Sequence, residues 1–355
     1  MPEAQRGPRR QARLSSDLTI LAVVGILLVS ALTAGAQSVY QQFYGPSAFV
    51  ERYLQLLSEG RAADALLVPG VAVDSAVLQK TGLDGTASEA LLRHAALAPL
   101  SDVEIVGEKH DDEVYTVTVD YRAGHTGGTS SFLVVQDGWV GVTPNWRFAA
   151  SPLAEIDLRL NGADQFAVNG FEMDRRQVSV DGVDASPSDA LPLLVFTPGL
   201  YSVTVDTAIA TTPGVSILAD APLARTPVDV QAEPTDEFVD VVQSRVTEFL
   251  ETCATQEVLQ PTACPFGMEV QNRIASPPKW SIAQHPKVTV VPDGDQWKIP
   301  ATDAVAHIDV EIMSLFDGSI QKISEDVPFR VNGTIAILAD GSASIRVGSP
   351  DVDAD

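Results

Sequence analysis

The 355-residue chain is acidic, with a formal net charge of −24, and 45% of its residues are hydrophobic. A surface of that sign repels nucleic-acid phosphates and anionic headgroups, which excludes the basic-patch class of nucleic-acid binders. A chain of this length and content can bury more than one core, so two or three domains are expected.

The first element is the uncharged run Leu18–Ala36, long enough for a helix to cross a hydrocarbon layer of roughly 30 Å. Arg6, Arg9, Arg10 and Arg13 precede it in a basic tail, 1–17, so the positive-inside rule keeps that tail cytoplasmic and exports the rest. Two readings stand. The segment is either an uncleaved signal anchor, or a signal peptide cut near Ala36 after Ala34-Gly35-Ala36. The length of the apolar run favours the anchor. An anchored chain is expected at the cell membrane as a single span, and a cleaved one is secreted. The only cysteines, Cys253 and Cys264, lie downstream, and a close pair in an oxidising compartment reads as a disulfide. Two thiols with no nearby histidine make a poor metal site.

A first domain is expected over 37–151. Gly45-Pro46-Ser47 marks a helix start with Ser47 as N-cap. Phe49, Val50, Tyr53, Leu54, Leu56 and Leu57 form an apolar stripe that Gly60 ends. A second helix is predicted from Ser88 to Pro99. The period then becomes two, through Val103 and Ile105, Val114–Tyr121, and Phe132, Val134 and Trp139, with turns at Gly124, Gly127-Gly128 and Asp137-Gly138. Helices followed by an antiparallel sheet describe an α+β layer.

The opening FVERYLQLLSEGRAADAL and the closing Trp146-Arg147-Phe148 resemble the small cone fold of the nuclear transport factor two superfamily. Some members are enzymes with a polar pocket inside the cone, and others are binding or assembly modules. The pocket candidates the resemblance implies are Tyr53, His94, Tyr115, Asp120 and Tyr121. None forms a recognisable dyad, since Asp120 and Tyr121 are adjacent on one strand and face opposite ways. His110, Asp111, Asp112 and Glu113 read as a solvated turn.

A small β domain is expected over 152–232, with strands at Ile156–Leu160, Gln165–Val168, Gln177–Val180, Leu193–Thr197 and Tyr201–Asp206. Asn161-Gly162, Asn169-Gly170, Asp181-Gly182 and Pro198-Gly199 mark the turns. The pairing of Val168-Asn169-Gly170 with a Pro198-Gly199-Leu200-Tyr201 strand resembles surface-domain repeats of bacterial envelope proteins. The chain is loosely similar to envelope proteins associated with teicoplanin resistance in Gram-positive bacteria, in which a membrane helix is followed by small β domains and then a cone-like domain, although here the cone-like domain comes directly after the membrane run. Low Lys beside Arg, with abundant Ala, Val, Gly and Pro, fits an actinobacterial type of chain.

The last domain is expected over 233–348, before an acidic tail at 349–355. A helix stripe runs through Phe238, Val242, Val246, Phe249, Leu250 and Cys253, with Asp236 and Glu237 near its start. Strands follow at Trp280–Ile282, Lys287–Val291, Ala304–Met313, Ile320–Val331, Thr334–Leu338 and Ser344–Val347. Asp293-Gly294, Asp317-Gly318, Asn332-Gly333 and Asp340-Gly341 are the hairpin signals, and a second cone-like unit is one outcome of this order.

The chain has no phosphate loop, no nucleophile elbow, no His-Glu-x-x-His and no Cys-x-x-Cys. His94, His110, His125, His285 and His307 are scattered singly. The reading is an α+β envelope protein with no catalytic, cofactor-binding or metal residues assigned. It would bind a wall component or another exported protein, with a homodimer possible. An enzyme or carrier using the first cone is the alternative.

Overall fold

In a computed structural model the structure describes residues 43–348, apart from 142, 187–188, 295 and 338–342. The span at 18–36 and the tail at 349–355 lie outside the described residues. Among the described residues no helix is long and apolar enough to cross a membrane. The fold is α+β and mostly strands. Its contacts divide into two compact units. One comprises residues up to Val73, Pro99–Pro152 and Asp220–Pro222, and the other comprises Asp74–Ala98, Leu153–Ala219 and the chain from Leu223 onward.

In the first unit, helix α1 (Pro46–Ser58) starts at a Gly45 N-cap with Pro46 in its first turn, where a missing N–H costs nothing. Ser47, expected as the cap, instead donates its hydroxyl to Glu108. Helix α2 (Ala62–Leu66) follows. Strands β1 (Leu100–Asp111), β2 (Val114–Ala123), β3 (Thr126–Val140) and β4 (Thr143–Phe148) form an antiparallel sheet in chain order. The buried stripe Phe49, Val50, Tyr53, Leu54 and Leu57 of α1 forms the core together with Val117, Val119, Phe132, Val134 and Phe148. Gly70 holds a positive φ where a Cβ would lie 2.5 Å from the Phe148 carbonyl oxygen, so only glycine allows this close backbone approach. The expected turn at Gly127-Gly128 is displaced. The hairpin turns at Gly124-His125, and both glycines pair inside β3.

The predicted helix from Ser88 to Pro99 does not form. A short helix α3 (Ser75–Thr81) precedes it, capped by the Asp74 side chain on Val77 N and closed by Gly82 in the left-handed region. Ser88 then joins a sheet, accepting from Leu194 N and donating to Pro192 O, and only His94–Ala96 forms one turn of 3₁₀ helix. Leu91 and Ala96 are wholly buried in the second unit. Their helix-like spacing comes from packing of an irregular segment, with tertiary contacts overriding periodicity.

The second unit opens with β5 (Leu153–Asn161), β6 (Gln165–Val168) and β7 (Phe171–Asp174). Half of the predicted strand Gln177–Val180 lies in a short helix, α4 (Arg175–Val178), because Asp174 caps Arg176 N and Arg175 turns inward, and Ser179 and Val180 follow it outside any strand. Strands β8 (Leu191–Phe196), β9 (Gly199–Thr204), β10 (Ala210–Thr211), β11 (Val215–Ala219), β12 (Arg225–Gln231) and β13 (Glu233–Pro234) complete this part. They form sheets ordered β11-β9-β6-β7 and β12-β5-β8, with β12 parallel to β5, and a β10-β13 pair. Asn169-Gly170 makes the expected hairpin turn, both residues having positive φ.

Helix α5 (Asp236–Ala254) is capped by Thr235, whose Oγ1 accepts from Phe238 N, with Asp236 and Glu237 in its first turn as expected. The chain then forms β14 (Arg273–Ile274), β15 (Lys279–Gln284), β16 (Val291–Asp293), β17 (Gln296–Met313), β18 (Ile320–Ile337) and β19 (Ala343–Gly348), a six-stranded antiparallel sheet. The disulfide joins Cys253, on α5, to Cys264. Phe238, Val242, Val246 and Leu250 share one buried cluster with Ala304, Ala306, Ile308 and Val310 of β17 and with Ile156, Leu158 and Val195 of the earlier sheets. The boundary expected at 232/233 therefore falls inside one unit with a continuous core. Asn332-Gly333, expected as a turn, lies within β18. A Cβ at Gly333 would come 2.6 Å from the Arg346 carbonyl oxygen, which explains the glycine by sheet packing.

Candidate functional site

The residues proposed to line a cone pocket differ in burial and in their partners. Tyr53 is fully buried and packs edge-on to Phe132 and Phe148, with centroids 6.1 and 5.1 Å apart, while Phe49 lies 5.0 Å from Phe148. Aromatic rings thus pack against one another between α1 and the sheet. Tyr121 is buried beside Ser130, whose hydroxyl donates to the Asp220 carbonyl, and burial pushes its phenol pKa up. Tyr115 is half-buried, stacked on His110 at 4.0 Å and edge-on to Trp146 at 5.2 Å. Asp120 is exposed and accepts from Thr129 Oγ1. His94 belongs to the second unit and is exposed there, a correction that follows from the missing helix.

Among the described residues, two charged side chains are buried in the second unit. The Arg175 guanidinium donates to the carbonyls of Leu160, Ser186 and Asp189, and its Nε faces Asp164 Oδ1 at 3.3 Å. Glu155 accepts from Asp84 N and pairs with Arg225 Nε at 2.9 Å, although burial still pushes its carboxyl pKa up. Both groups are used up in holding chain segments together.

The structure assembles its most chemically suggestive group elsewhere, on the solvent face of the β17–β18 hairpin. His307 pairs in register with Asp326, and Asp309 with Ser324, so the four side chains stand together on one face. His307 Nδ1 lies 2.7 Å from Asp326 Oδ1, Nε2 lies 3.1 Å from Ser324 Oγ, and Asp309 Oδ1 is 3.7 Å from Nε2. Beside them Val305, Pro328, Gln284, Asp303 and Arg330 line a shallow groove, with Arg330 Nε on Asp303 at 3.1 Å.

The order serine, imidazole, carboxylate matches the reach of a nucleophile, a base and its orienting group. A hydrolase also needs donors aimed at a developing oxyanion. Here the backbone N–H groups lie in the plane of the sheet, while Ser324 Oγ stands off its face, so a carbonyl placed over Ser324 would meet side chains alone. The arrangement is a hydrogen-bonded cluster of polar side chains on the sheet face. Among the described residues, no group of three or more His, Cys, Asp or Glu side chains is placed to hold a metal ion.

The hydrogen bond to Asp326 raises the His307 pKa, and the nearby Asp309 adds to the shift. The raised folded-state value means the contribution is fully present below the unfolded histidine pKa and fades as pH rises through the folded one. The His307 ring resonances, followed by NMR against pH, are expected to titrate above the ordinary histidine value, and Asp326→Asn to lower that midpoint. An unchanged midpoint in the variant would show that Asp326 does not hold the proton.

Compared with known proteins, the chain matches no family model, no curated protein and no solved structure.

Proposed function

We propose that this protein is a single-pass, membrane-anchored component of a bacterial envelope. Residues 18–36 are its anchor, its N-terminus is cytoplasmic, and its two units are exported. The observation that carries the reading is the Cys253–Cys264 disulfide, which suits an oxidising compartment and lies on the side that Arg6, Arg9, Arg10 and Arg13 would send across. Its role is binding or bridging, toward a cell-wall component or another exported protein. The ring-filled interior of the first unit supports that role over the alternative of a small-molecule enzyme using a cone cavity. The finer likeness to cone domains and to teicoplanin-resistance-associated envelope proteins belongs to this same proposal.

The test combines fractionation with protease treatment of intact cells and an intact mass of the protein. The expected result is a membrane-bound chain of full length, whose Phe43–Gly348 region is cut from outside the cell. Release into the medium with loss of the first 36 residues would replace the anchor by a signal peptide. Protection of the whole chain in intact cells would overturn the exported topology.

A further inference from the structure

Among the described residues, the long hairpin of the second unit has one strand edge without a partner. β17 pairs with β18 from Ile320 to Ile335, and β19 covers the other side of β18 only from Asn332 to Ile337. Among the described residues no further strand pairs with β18 between Ile320 and Val331. Two observations fix which backbone groups face outward. Ser314 N donates to Ser319 O across the turn, which places the odd-numbered residues of β18 in bonded pairs with β17. Pro328, with no N–H to give, sits at an even position, as an open edge requires. The N–H and C=O groups of Lys322, Ser324, Asp326 and Arg330 therefore point into the open edge, and their side chains share the face of His307.

An open edge recruits another strand, and the side chains decide which one. Set antiparallel about a twofold axis through Ser324, this edge is complementary to itself. Lys322 of each copy then faces Asp326 of the other, Ser324 faces Ser324, and Ile320 faces Pro328. Each outward N–H and C=O from Lys322 to Asp326 gains a partner. An axis through Asp326 would instead oppose Lys322 to Arg330 and Asp326 to itself, and an axis through Pro328 would lack donors at its centre.

The hairpin tip points to the same occupant. Phe316 is fully exposed, Leu315 is 73% and Ile320 62% exposed, on a turn held by Ser319 N and Oγ donating to Asp317. The register carries this apolar tip past Pro328 of the other copy, toward the groove lined by Val305, Pro328 and Arg330.

We propose that two copies associate by antiparallel pairing of their β18 edges, centred on Ser324. An interface of one strand pair and two tips is modest, so the dimer is reversible and concentration-dependent. It stands independently of where the chain resides.

Cysteine cross-linking of the full chain, purified in detergent, tests the proposal. Ser324→Cys brings two thiols to about 5.5 Å between Cα atoms, within disulfide reach, and mild oxidation yields a linked dimer on a non-reducing gel. Arg330→Cys, well away from the axis, stays monomeric. Adding Lys322→Asp to Ser324→Cys lowers the linked fraction roughly tenfold, by turning two attractive pairs into repulsive ones, and adding Asp326→Lys to that variant restores it. These positions are exposed, so circular dichroism is expected to show the native fold in every variant. A monomeric Ser324→Cys, equal linking through Arg330→Cys, or no effect of Lys322→Asp overturns the proposal.

Discussion

Replacing Arg175 by alanine is expected to destabilise the second unit by about 3–5 kcal/mol, among the largest effects of any single substitution. The side chain is 1% exposed and joins the end of β5, through Leu160 O, to the loop before β8, through Ser186 O and Asp189 O. Alanine leaves those carbonyls without their guanidinium donors, and each such loss where the group is buried costs about 1–3 kcal/mol. Asp164 keeps a second guanidinium, Arg176, so the carboxylate is not stranded. Lysine is expected to recover only a minor part, because one ammonium cannot reproduce the planar fork. Urea unfolding measures both variants. A loss below about 1 kcal/mol for alanine would show that the buried cation is dispensable to the fold.

The second large effect lies in the first unit. Phe148→Ala is expected to cost about 3–5 kcal/mol, since it removes a ring that Phe49, Tyr53 and Phe132 all contact and leaves an apolar void. That void should stay dry and bind a ring-sized apolar probe such as benzene. The unaltered protein should not bind the probe there. The informative measurement is amide exchange along Val114–Ala123 with and without benzene. Exchange should quicken in the variant and slow again with the probe. Protection of the unaltered protein by benzene would mean that a cavity already exists and would revive the pocket reading.

How much of this was legible in the residues depends on how local the cause is. The stripes of α1 and α5 gave both helices, because one face of each is buried along its whole length. The disulfide followed from two cysteines and a compartment. Asn169-Gly170 announced its hairpin, whereas Asn332-Gly333 carried the same dipeptide into a strand interior, where close approach of Arg346 set the need. The segment Ser88–Pro99 misled because its leucines satisfy a distant sheet. Arg175 gave no signal, since a guanidinium that holds carbonyls recognises no particular side chain.

The candidate surface was partly within reach. His307 and Asp309, and Ser324 and Asp326, are each two apart and so share a face, and the turn at Asp317-Gly318 lies midway between them. Folding the sequence about that turn opposes His307 to Asp326. Reading the histidines one at a time hid this, since the grouping comes from strand register.

The division of the chain also bears on how the protein is made. The sheet of its first unit ends with Phe148, yet residues 74–98 have by then been synthesised without the sheet they belong to. Ser88 must wait for Leu193 to emerge, roughly a hundred residues later, or about 5–20 s at ordinary rates of elongation. Until then Leu91 and Ala96 have no core to enter. A fragment cut at either end of 37–151 keeps that orphan loop, so expression of the first unit alone calls for excising 74–98 and bridging the gap with a short polar linker.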